Sequence, residues 1–128
     1  METVTSKLIA AGGLFLLAVI FGLIVSRSGR PLSIVLVTVH KLSAVAAVVL
    51  VGLAVNQLRQ TGDGLVLLET GLIVSSALLF VALIATGALL TREEMQLPEI
   101  VLRIHQVAPP LALACSTLTV YLLARSSS

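Results

Sequence analysis

The chain has two histidines, His40 and His105, and they stand 65 residues apart, each inside a long apolar block. A polar side chain in such a block is costly to place in hydrocarbon, so it turns toward other helices or toward a functional site. Two imidazoles narrow the chemistry. A bare zinc or copper ion takes three or four protein ligands, and the sequence does not complete that set. Cys115 lies ten residues beyond His105, about 15 Å along a helix. Glu69 opens its block at the opposite end, and Glu99 and Met95 stand near the right end but in only one half of the chain. A haem brings four nitrogens of its own and asks the protein only for axial ligands. Two histidines at matched depth on two helices meet that need. The sequence therefore predicts one bis-histidine haem b, with His40 and His105 as the metal ligands.

The neighbours of the histidines fit a flat macrocycle. Ser43, Ala44 and Ala47 follow His40 by three, four and seven residues, and Ala108, Pro109 and Ala112 follow His105 by the same steps. On a helix these positions share the histidine's face. Small side chains there leave room for a ring, although the same stripe also lets two helices pack closely. Pro109 and Pro110 lack an N–H and so release the carbonyls of His105 and Gln106. Haem propionates need cations. Lys41, Arg103 and Arg30 lie at the histidine end of the blocks, and the two arginines can pair a carboxylate with two donors. Arg27 and Arg92 read instead as topology determinants that meet lipid headgroups.

The elements that carry these residues follow from composition. Of 128 residues, 58% are hydrophobic and 11% charged, with a mean hydropathy of +1.14. Soluble domains run nearer half apolar and a quarter charged. An integral membrane protein is implied. Disorder, collagen, a disulfide scaffold and a soluble enzyme are excluded. A net charge of +2 with scattered basic residues gives no reason to expect nucleic acid. Four apolar blocks, expected as helices at about 7–26, 32–58, 65–91 and 98–125, each reach the ~18–20 residues that cross a bilayer. They show none of the in–out alternation of membrane strands. Their connectors are short, so neighbours run antiparallel. The fold class is an all-α membrane protein, an up-down bundle of four transmembrane helices forming a single domain over residues 1–128. The first block is too long for a signal-peptide core and no small-residue cleavage site follows it, so it is expected as a mature helix.

Basic residues set the expected orientation. Arg27, Arg30, Lys41, Arg92 and Arg103 stand at one end, and Lys7, Arg59 and Arg125 at the other. This places loops 27–31 and 92–98 in the cytoplasm of a prokaryotic cell and both termini outside.

A shift of 65 residues lays the chain on itself. Eleven of 63 ungapped pairs are identical. Phe15 falls on Phe80, Gly22 on Gly87, Arg27 on Arg92, His40 on His105 and Ala47 on Ala112. An offset of two helices preserves direction through the membrane, so the halves read as two parallel two-helix repeats.

Arg30-Pro31, then Thr38-Val39-His40-Lys41-Leu42, then Leu102-Arg103-Ile104-His105 resembles a class of short prokaryotic four-helix membrane proteins. The arrangement is similar in architecture to small bis-histidine b-type cytochromes of the membrane. That resemblance implies one-electron transfer, with a quinone or a redox protein as partner. Membrane cytochromes with two haems use four histidines, so two histidines imply one haem per chain. No nucleophile–base pair, phosphate-cradling loop or intramembrane carboxylate pair argues for an enzyme. Two other readings stand beside this one. The chain could be a non-redox accessory subunit of a larger membrane complex, or a homo-oligomer, with the histidines as packing groups. It could also bind a chlorophyll-type pigment through one histidine per magnesium.

Overall fold

The computed structural model describes residues 2–29, 31–61, 67–92, 94 and 96–126. Four helices account for nearly all of them: α1 (Glu2–Ser28), α2 (Ile34–Thr61), α3 (Leu67–Leu90) and α4 (Glu99–Ser126). The shortest has 24 residues, about 36 Å at 1.5 Å per residue, so all four are long enough to cross a membrane. No strand occurs among the described residues.

Local chemistry sets the ends. Helix α1 starts before the apolar block, carrying Thr3, Thr5, Ser6 and Lys7 with it, because Val4 is already a buried anchor at 4% exposure. It stops at Gly29, whose φ of +71° is the left-handed residue that closes many helices. Gly29→Ala should therefore cost about 1 kcal/mol of stability, read as a lowered unfolding midpoint in a detergent titration. Helix α2 starts two residues inside its block because Ser33 caps it. The Ser33 carbonyl accepts from the Val37 N–H at 3.0 Å and its hydroxyl from the Leu36 N–H at 3.4 Å. At the end of α3, where carbonyls run out of onward helical partners, the Thr91 hydroxyl donates to those of Gly87 and Ala88 at 3.2 and 3.1 Å. Helix α4 runs through Pro109 and Pro110 without a break. Leu65 and Val66, expected at the start of the third helix, lie outside the described residues.

The chain divides into two compact units, Met1–Leu53 and Ala54–Ser128. In the first, α1 and the greater part of α2 form an antiparallel hairpin. In the second, α3 and α4 do the same, joined by the last two turns of α2. The buried positions of the first unit are Val4, Ala11 and Ala18, one every seven residues of α1, with Ser43 and Ala47 on α2. Small side chains at these positions let helix backbones approach. Long apolar side chains point outward instead, Ile34 at 83% exposure and Leu67 at 89%, as expected of surfaces that meet lipid.

The 65-residue repeat extends to burial. Val4 and Glu69, Ala11 and Ser76, Ser43 and Ala108, Ala47 and Ala112, Ala54 and Thr119, Leu58 and Leu123 are six offset pairs in which both members are buried. The same helix faces are used twice, even where the residues differ.

Candidate functional site

His40 lies six residues into α2 and His105 six residues into α4, each about 9 Å along its helix. Each is half-buried and each is held by the preceding helix of its own hairpin. His40 Nδ1 sits 2.7 Å from the Ala18 carbonyl oxygen on α1. A carbonyl can only accept, so Nδ1 carries the proton and donates it. His105 Nδ1 sits 2.8 Å from Thr86 Oγ1 on α3. The Thr86 hydroxyl spends its own proton on the Ala82 carbonyl at 2.7 Å, so its oxygen accepts from His105. In the neutral imidazole both histidines are thus Nδ1–H tautomers with the lone pair on Nε2.

A glycine makes room for each ring. A Cβ built on Gly22 would lie 2.9 Å from His40 Cε1 and 3.1 Å from its Nδ1. A Cβ on Gly87 would lie 3.1 Å from His105 Cε1. Gly22 is also the residue whose N–H bonds the Ala18 carbonyl within α1. Its missing side chain leaves that carbonyl open to a second donor. In the second hairpin the position equivalent to Phe21 is Thr86, and its hydroxyl takes the role that the backbone carbonyl has in the first. Thr86→Val should remove the bond at 2.8 Å to His105 Nδ1 and destabilise the second hairpin by about 1–3 kcal/mol. Thr91→Val, whose lost hydroxyl bonds reach back only to the adjoining last turn of α3, should cost much less in the same unfolding titration.

The other expected site residues separate into two groups. Ser43, Ala47, Ala108 and Ala112 are buried, the last completely, and Ala44 is half-buried. Lys41 is exposed. Arg103 is also exposed and is engaged with Glu99 one turn earlier, its Nε and Nη2 donating to Oε1 at 3.2 and 3.0 Å. Arg30 lies outside the described residues. Among the described residues no three histidine, cysteine or acidic side chains gather at one point.

The sequence pairs Gly22 with Gly87 as repeat matches but does not say what they face. The signal is in the spacing: each glycine precedes its histidine by eighteen residues, one antiparallel step across a short connector. Thr86 and Glu99 as partners carry no such signal. Compared with known protein families, with curated proteins and with solved structures, the chain matches none.

Proposed function

We propose that the chain is a membrane b-type cytochrome that binds one haem b with His40 and His105 as axial ligands. The observation that carries this reading is the duplicated imidazole setting: the same depth, the same glycine and the same Nδ1–H tautomer in both hairpins. Metal-ligating histidines characteristically donate the second ring N–H to a backbone or side-chain oxygen, which fixes the ring and leaves the other nitrogen as ligand. Bound haem iron would supply reversible one-electron chemistry. The protein's part is to hold the rings, exclude water with the apolar helices, and neutralise the propionates. On this reading the small residues Ser43, Ala44, Ala47, Ala108 and Ala112 would flank the macrocycle once it is bound, and Lys41, Arg103 and Arg30 would be the cations for its propionates. The partner would be a quinone or redox protein. The location would be a prokaryotic cytoplasmic membrane, with loops 27–31 and 92–98 on the cytoplasmic side, as the basic residues favour.

The test is optical. Full-length protein expressed with ample haem should show a Soret band and, on reduction, sharp α and β bands of a six-coordinate b haem. A colourless preparation would overturn this reading. It would leave the second one, favoured by the close glycine contacts and the buried small residues: a non-redox subunit in which each histidine pins its hairpin. A magnesium-pigment spectrum would point to a pigment-binding protein instead.

Charge makes a further prediction. Lys41→Gln or Arg103→Gln should lower the reduction potential, because removing a positive charge disfavours the less positive, reduced iron. Glu99→Gln should raise it, since Glu99 now offsets Arg103. Shifts of some tens of millivolts are expected, against about 59 mV for a tenfold change in a one-electron equilibrium. Exposure of Arg103 and Glu99 puts their shifts at the low end. Arg59→Gln, at the far end of α2, should move the potential little in the same redox titration.

A further inference from the structure

Two buried hydroxyls in the second hairpin have no hydrogen-bond partner: Ser76 Oγ on α3 and Ser116 Oγ on α4. Both residues are more than nine-tenths buried, at 7% and 8% exposure. Other helical hydroxyls in the chain satisfy themselves on a carbonyl of the preceding turn, as Ser28, Thr86 and Thr119 do. Ser76 and Ser116 do not, although the same bond is open to any helical serine. Leaving a buried hydroxyl unpaired is costly, so two in one hairpin call for a partner.

The two stand at one level. His105 meets Thr86 across the hairpin. Ser76 is ten residues from Thr86 along α3 and Ser116 eleven from His105 along α4, about 15 and 16 Å from that contact. The polar positions continue toward the other end of the helices. Thr119 is buried less than one turn beyond Ser116, and Glu69 is buried two turns from Ser76 on the same face of α3. The repeat sharpens the contrast. The equivalents of Glu69, Ser76, Ser116 and Thr119 one repeat earlier are Val4, Ala11, Val51 and Ala54, all apolar. Val4, Ala11 and Ala54 are buried and Val51 is half-buried, so the second hairpin has polar groups where the preceding repeat has apolar ones.

We propose that the α3–α4 hairpin contains a water-binding site at Ser76 and Ser116, reached from the Glu69 end, which the α1–α2 hairpin lacks. Two hydroxyls suit water, which needs two to four polar partners. They do not suit a hard cation, which takes six or more oxygens. This inference is independent of haem binding.

Hydrogen exchange at a thiol tests it in the full-length chain in lipid vesicles. In a Cys115→Ala background, single Ser76→Cys and Ser116→Cys variants are compared with Ala11→Cys and Ala18→Cys, two buried apolar positions of the first hairpin. The S–H stretch is followed by infrared after transfer to deuterated water. The two serine positions should exchange at least about tenfold faster than the two controls, because buried water supplies the exchange partner. Equal rates would overturn the site. The Ser76→Ala, Ser116→Ala double variant gives a second reading without a thiol. Loss of stability in an unfolding titration is expected, from the lost water bonds. A gain would mean that the hydroxyls were dry, and would overturn the proposal.

Discussion

Gly22→Leu should disrupt the first hairpin, and Gly22→Ala should already weaken it by about 1–3 kcal/mol, the usual cost of overpacking. The Cβ alone would meet two atoms of the His40 ring, at 2.9 and 3.1 Å. The ring cannot back away freely, because Nδ1 is bonded to the Ala18 carbonyl of the same helix. Gly87→Ala should act in the same direction but less, since its Cβ would meet one ring atom at 3.1 Å and the next two at 3.8 Å. A Cβ added at Gly12, Gly13, Gly52 or Gly71 would have nothing within 4 Å. Alanine at any of these should be neutral or gain the roughly 0.5–1 kcal/mol that glycine forfeits in a helix. The ranking Gly22, then Gly87, then the other four is checked by detergent unfolding of the six alanine variants. If all six behave alike, the glycines do not seat the histidines.

If the chain binds haem as proposed, His40→Ala and His105→Ala should each abolish its six-coordinate spectrum or convert it to a five-coordinate one. Alanine also removes a half-buried ring, so each variant loses packing as well as a ligand. Asparagine separates the two effects. Its amide nitrogen occupies the place of Nδ1, so His40→Asn can still donate to the Ala18 carbonyl and keep the link between α1 and α2, yet it offers iron no imidazole. Stability closer to that of the parent chain than His40→Ala, with the low-spin spectrum lost, is the expected pair of results. The low-spin spectrum persisting in His40→Asn would remove His40 as a ligand.

The fold is legible in the sequence because hydrophobicity alone decides it. Four apolar blocks of about eighteen residues or more, separated by short polar connectors, have few alternatives in a bilayer. Helix ends are less so. Ser33 and Gly29 act through a cap and a left-handed turn, while Val4 extends α1 by tertiary burial that an apolar run does not register. The repeat is visible in His40 and His105 and goes deeper in burial than in identity, since Val4 and Glu69 share a position but no chemistry. The site is half legible. Histidines at equal depth can be read from spacing. What holds them cannot, because Ala18 contributes a backbone carbonyl, which every residue has, and Thr86 contributes a hydroxyl common in such helices. Arg103 and Glu99 stand at a standard four-residue helix spacing, so the guanidinium expected to face a propionate already has a carboxylate beside it.

The ratio of haem to protein chain, measured together with the spin state of the ferric protein, tests the proposed function most directly. Haem-replete expression followed by quantitative haem extraction and electron paramagnetic resonance should give one haem per chain and a low-spin ferric signal. A chain that takes up no haem, or one that binds haem only in a high-spin, five-coordinate form, would contradict the assignment of His40 and His105 as its two axial ligands.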